Sequence, residues 1–283
     1  MNFHKKRKLV NRLMCSLTFL CAFLTLVPLI AILGYVIAKG VTSVNLDFFT
    51  HLPKPVGEPG GGMSNAIVGS LILIGLSCLW ALPVGVWGGV YLSEFGNNKL
   101  GAAVRFTADV LNGVPSIIIG IFAYTLIVLP MKSFSALSGA FALGIIMIPT
   151  VMRTTEEMLL LVPRTIREAG LALGLSQFRV TLSIVLKTAL PGILTGVLLA
   201  LARIAGETAP LLFTALGNRF WQHSLTQPIG ALPLQIFAYA ISPFDDWHRQ
   251  AWAGALVLIF LIFLMSFLSR FVIARRYKFR TSR

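Results

Sequence analysis

The sequence has 283 residues, 56% of them hydrophobic and only 12% charged, with a mean hydropathy of +0.83. A water-soluble domain cannot bury that much apolar surface, whereas a bilayer takes up about 20 apolar residues per crossing, so an ordinary soluble protein is excluded. The net charge of +14 sits between apolar runs and at the two ends, beside few aromatics and no nucleic-acid motif. It reads as topology information and not as a nucleic-acid surface.

The chain opens on a basic stretch, residues 1–12, with His4-Lys5-Lys6-Arg7-Lys8. An apolar span at 13–38 follows, well beyond the roughly 7–15 residues of a secretory signal core and without a small-residue cleavage site, so it is expected to stay as a first crossing. Further spans are expected at 66–92, 115–129, 135–151, 190–216 and 251–273. The fold class is therefore an all-α membrane protein of six transmembrane helices, one domain over 13–283. The third and fourth spans are short and separated only by Pro130, Met131, Lys132 and neighbours, which predicts a tight helical hairpin.

An even number of crossings puts both ends on one face. Lys5, Lys6, Arg7, Lys8 and Arg12 share that face with Arg270, Arg275, Arg276, Lys278, Arg280 and Arg283, the last five within the basic tail 274–283. Two internal loops add Lys99, Arg105, Arg153, Arg164, Arg167, Arg179 and Lys187. The opposite face holds only Lys39, Lys54, Lys132, Arg219 and Arg249. The bias predicts cytoplasmic termini.

Two loops are expected on the outer side. Residues 40–65 contain Pro59-Gly60-Gly61-Gly62, which is read as a turn-rich loop; no Lys-Ser/Thr follows and no strand precedes it, as a phosphate cradle would require. Residues 217–250 carry Trp221, Tyr239, Phe244 and Trp247, suited to an interfacial belt or to a helix lying along the outer surface. Cys15, Cys21 and Cys78 fall inside apolar runs without metal-ligand spacing. His4, His51, His223 and His248 are scattered with no ligand spacing, which argues against a membrane enzyme.

The longest cytoplasmic stretch, 153–189, is expected to form a helix, a break and a second helix. Thr154 with Glu157 has capping-box spacing for a start. Pro163 interrupts, a helix runs over 164–173, and Gly174 stops it where positive φ is cheap. A second helix is expected over 177–190, with Phe178, Leu182, Val185 and Leu186 on one face, and Pro191 in the first turn of the next crossing. Such an ordered platform suits either a plain connector or a docking element.

Within that stretch, Glu168-Ala169-Gly170, then Gly174, then Ile184-Val185-Leu186, follow the spacing of the EAA loop, and on these residues the chain resembles the type I ABC importer permeases. Gly170 stands where the pattern has a second Ala, and Lys187 where it has Pro. Gly113 to Gly120, the run Arg203-Ile204-Ala205-Gly206-Glu207-Thr208-Ala209-Pro210, and the stretch from Ser242-Pro243-Phe244 to Gly254 further resemble the PstA family of phosphate permease subunits. The resemblance implies the MetI-like fold, with 153–189 as a loop whose coupling helix seats on an ATPase. It implies a PstC-like second permease, a PstB-like ATPase dimer, a PstS-like periplasmic phosphate-binding protein, and phosphate as cargo, in the lipid of a bacterial inner membrane. ATP and Mg would be used by the ATPase, with no cofactor on this chain, which has no G-x-x-x-x-G-K-[ST] run.

Arg203 and Glu207 stand one helical turn apart inside the apolar span 190–216. An ionisable side chain at bilayer depth costs about 2.5–3.5 kcal/mol on insertion scales, so it faces a partner or a polar path. Two readings stay open: mutual neutralisation in a packed interface, or an arginine turned into a translocation path. Arg before Glu is the less favourable helical order, which weakens the first. A guanidinium meets two oxyanion oxygens at once and stays charged, which suits a phosphate path. Gly206, Thr208 and Pro210 permit either a kink or a break, with Thr208 capping a new half-helix. Pro83, Pro149 and Pro210 are candidate bends. The competing functional class is an anion transporter or channel driven by an ion gradient, which usually carries further ionisable residues at membrane depth.

Overall fold

The computed structural model describes residues 3–55, 58, 60–222 and 224–278; Pro59, His223, Arg280 and Arg283 lie outside the described residues. Helix α1 (Phe3–Gly40) already includes the basic start, so the expected N-terminal segment and first crossing are one continuous rod. A short helix, α2 (Leu46–Thr50), is capped by the Asn45 side chain, which accepts from the Phe48 N–H at 2.9 Å. It delivers Phe48, only 1% exposed, into a small core with Met63, Ala66, Leu232 and Tyr239.

The centre of the molecule is the pair α3 (Ser64–Phe95) and α6 (Ala136–Leu160). Leu73, Leu143, Met147, Val151 and Leu159 are all buried in the main core. Between this pair run α4 (Lys99–Gly113) and α5 (Ser116–Met131), bent against each other by 106° at Val114-Pro115. Asn98 starts α4 by accepting from the Gly101 N–H at 2.7 Å. Pro115 fixes an extended approach to α5, as proline favours. The hairpin from α5 into α6 turns on Lys132, at φ 52°, and Ser135 with Ser138 forms a reciprocal capping box at the start of α6.

After α6 come α7 (Arg164–Ala172), α8 (Gln177–Ala205), α9 (Ala209–Thr214), α10 (Leu232–Ala240) and α11 (Asp245–Lys278). Five helices are long and apolar enough to cross a membrane, and counting the bent α4–α5 pair as one span brings the number to six. The described elements are helical throughout, apart from one isolated bridge between Leu216 and Ile229.

Several boundaries differ from expectation. Helix α6 runs on to Leu160, so Thr154 lies inside it and its hydroxyl bonds the carbonyls of Thr150 and Val151 instead of starting a new helix. Pro191 is likewise inside α8, not in a first turn; the helix continues from Gln177 through a wide π turn at Thr181–Val185. The span expected as one helix over 190–216 breaks after Ala205 and resumes at Ala209. At the break the Gly206 and Glu207 N–H groups bond back to Arg203 and Ile204, three residues away, which tightens and ends the helix.

The segment 217–250 also departs from an aromatic belt and carries the short helix α10. Tyr239 is fully buried and stacks on Trp247 at 4.6 Å, with the Arg219 guanidinium 5.0 Å from the Trp247 ring centroid. The Asn65 amide donates to the Asn218 carbonyl at 2.6 Å, and the Leu232 N–H donates to the Ser70 hydroxyl at 2.7 Å. This segment is a packed cover over the end of α3. Trp221 and Phe244 are the exposed aromatics of that group.

Candidate transport and coupling sites

Arg203 lies in the last turn of α8, where a cation is favoured by the carbonyl end of the helix. Glu207 lies past the helix end, in the break, so the two no longer share one helical face. Their closest approach is 3.8 Å, from Arg203 Nε to Glu207 Oε1, with side chains 39% and 18% exposed. That is an ion-pair distance too long for a hydrogen bond. Leu199, one turn before Arg203, is 62% exposed, so arginine and leucine together mark an uncovered stripe of α8. Thr208 precedes α9 but makes no capping bond with its side chain, and α9 has six residues, so the half-helix cap expected there is absent.

Pro210 opens α9 and is buried. Its backbone lies against α5 at Gly120, where a Cβ would come within 2.6 Å of Pro210 Cα. Glycine is needed at that crossing. Gly206 itself has open space around its missing side chain. Pro83 and Pro149 lie inside α3 and α6, which continue past both without a break; Pro83 is exposed and Pro149 buried.

The EAA-like residues fall on α7 and the turn after it. Glu168 and Ala169 are exposed, whereas Gly170 is buried. A side chain at Gly170 would meet Ile184 and Val180 at 2.9 Å, so the departure from alanine allows α7 to press onto the start of α8. Gly174 has φ 79°, the left-handed geometry expected of a helix stop. Leu171, Leu173 and Phe178 are exposed around it, leaving an apolar surface beside Glu168.

A third cluster escaped the sequence reading. Glu156, with a side chain 3% exposed, accepts from Arg105 Nε at 2.5 Å and from Arg153 Nη1 at 2.7 Å. Arg153 also pairs with Asp109 at 3.1 Å, and Arg105 donates to the carbonyls of Gly96 and Leu92, both at 2.8 Å. Arg167 pairs with Glu94, 6% exposed, and donates to the Leu159 carbonyl at 2.7 Å. In the sequence these arginines carry only a topology signal. With just 10 acidic residues in the chain, the carboxylates at the ends of apolar helices were the available signal. Among the described residues no group of three His, Cys, Asp or Glu is placed to hold a metal ion.

Residues 81–278 match the family of binding-protein-dependent transport system inner membrane components. The chain is 44% identical to the phosphate transport system permease protein PstA of Yersinia pestis, over 95% of this chain and 92% of that one. It is 45% identical to the PstA of Haemophilus influenzae, covering 93% and 94% of the two chains. The chain belongs to the PstA permease family. Likeness reaches the archaeon Methanocaldococcus jannaschii, whose probable PstA is 39% identical over 86% of each chain. Among solved structures, the inward-facing MetNI methionine ABC transporter has a chain of the same fold. Its TM-score is 0.61 at 19% identity, covering 76% of this chain and 94% of that one. PstA family members are multi-pass inner-membrane transport permeases, and this chain has the apolar helices and the fold to be one.

Proposed function

We propose that this chain is a permease subunit of an ABC importer that moves inorganic phosphate across the bacterial cytoplasmic membrane. Its PstA relatives are phosphate transport system permeases. The observation that carries the reading is Arg203: a guanidinium inside an apolar span, partly exposed, and held only loosely by its carboxylate neighbour. A fully paired arginine would have its donor fork occupied; this one keeps donors free for two oxygens of a passing oxyanion. Glu207 limits the local positive potential, so that the anion is met without being trapped. The break at Gly206, Glu207 and Thr208 brings backbone polar groups and the Thr208 hydroxyl to the same level.

The chain carries out no covalent chemistry in this reading. A PstC-like permease completes the pathway, and a PstS-like periplasmic protein delivers phosphate. A PstB-like ATPase dimer binds ATP and Mg and hydrolyses ATP. The ATPase docks on α7 and the turn at Gly174, through Glu168, Ala169 and the exposed Leu171, Leu173 and Phe178. Both ends of the chain lie in the cytoplasm, since the basic residues concentrate there. Closure of the ATPase moves α7, and the helices then expose the arginine to one side and afterwards to the other. The break before Pro210 and the prolines Pro83 and Pro149 are where that bending is taken up.

The test is radiolabelled phosphate uptake by the complete complex in vesicles, comparing wild type with Arg203→Gln while checking assembly by co-purification. Uptake falling by about tenfold or more in an intact complex is expected, the loss of one charge-assisted contact to the anion. Uptake equal to wild type overturns the role of Arg203.

A further inference from the structure

We propose that Arg167 is the positioning residue that fastens the docking helix α7 to the rest of the bundle, so that displacement of α7 is passed to α3 and α6. The idea rests on the permease reading above and adds the transmitting contact. Helix α7 packs chiefly on the start of α8, with Gly170 pressed against Val180 and Ile184. Those contacts join it to the segment that follows it in the chain. Beside the packing of Ile166 and the short connection from α6 through the buried Val162, Arg167 makes polar contacts from α7 to both central helices.

The Arg167 fork spans two helices at once. One nitrogen meets the Glu94 carboxylate at the end of α3, and the other donates to the Leu159 carbonyl in the last turn of α6 at 2.7 Å. The guanidinium is 21% exposed and Glu94 6%, so water competes weakly for either contact. A planar guanidinium holds its two donors in fixed relation, which transmits orientation as well as position; an ammonium cannot do both. Helices α3 and α6 are also the most closely packed pair, so a push delivered at their shared end moves them as a unit.

The test uses the complete complex in vesicles and reads ATP hydrolysis and phosphate uptake together. Arg167→Met combined with Glu94→Gln, which leaves no buried carboxylate unpaired, should leave complex yield and hydrolysis within about twofold while uptake per ATP falls about tenfold. Glu94→Gln, which spares the Leu159 contact, should lower the ratio about threefold, and Arg167→Lys should fall between. An unchanged ratio, or hydrolysis and uptake declining in step with yield, overturns the proposal. A second measurement needs no assumption about the cargo. Spin labels at Thr165 and Leu100, both exposed, should keep one separation in wild type on ATP-vanadate trapping and change separation in the double variant Arg167→Met, Glu94→Gln. Identical behaviour in the two proteins also overturns it. Wild-type vesicles that take up no phosphate would count against the phosphate reading, while the spin-label result would still decide the role of Arg167.

Discussion

Two charged regions of this protein are built to opposite specifications. At the end of the bundle that carries α7, Glu156 is buried and clasped by two arginines at 2.5 and 2.7 Å, and those arginines reach on to Asp109 and to two backbone carbonyls. At the break in the fifth span, Arg203 and Glu207 stand 3.8 Å apart and partly exposed. The first arrangement satisfies nearly every donor and so fixes helices in place. The second leaves donors unspent. A buried charge network is worth keeping only when all its members are satisfied, whereas a transport site must hold its ligand and then let go.

The tight network is most sensitive at Glu156. Glu156→Gln takes a shared anion from Arg105 and Arg153, and the weakening of two charge-assisted hydrogen bonds is expected to cost about 3 kcal/mol, since Arg153 keeps Asp109 and Arg105 its two carbonyls. Thermal unfolding in detergent should show this as a marked fall in Tm and in recovered complex. A Tm equal to wild type would mean that the cluster is ornamental to the fold.

Gly120 sharpens the comparison from the side of the break. Gly120→Ala places a methyl group against the Pro210 backbone, and overpacking of this kind costs about 1–3 kcal/mol. Uptake should fall more than stability does, because the displaced segment carries the break beside Arg203. Stability and uptake lowered in proportion would place the effect in folding alone.

The smallest expected effect is at Glu207. Since the pair is loose, Glu207→Gln should leave assembly and Tm unchanged and slow phosphate release, lowering turnover about threefold, or about 0.6 kcal/mol on the barrier. Turnover equal to wild type would remove Glu207 from the release step.

Much of the architecture was legible beforehand because lipid leaves a long apolar run few alternatives: it must satisfy its own backbone as a helix. The hairpin at Lys132, the helix over 164–173 and the stop at Gly174 follow from local chemistry and appear in the structure. The failures have a common source. Thr154 with Glu157, and Pro191, carry local signals of helix ends, yet both lie inside long helices, since packing against neighbours outweighs a cap worth about 1 kcal/mol. Tyr239 and Trp247 look like belt residues in composition and are instead part of a packed cover.

The sequence by itself determined that this is a helical membrane protein with one arginine at membrane depth and an EAA-like loop, because hydropathy and residue spacing are properties of the chain alone. Only the tertiary structure decided that the span carrying Arg203 breaks beside Gly120, that Glu94 and Asp109 each take an arginine from another helix, and that Glu156 adds Arg105 to its helix neighbour Arg153. The physical reason is distance along the chain: Arg105 and Glu156 are 51 residues apart, and Arg167 and Glu94 are 73 apart. Local periodicity carries no record of such partners; they meet only when the helices have packed.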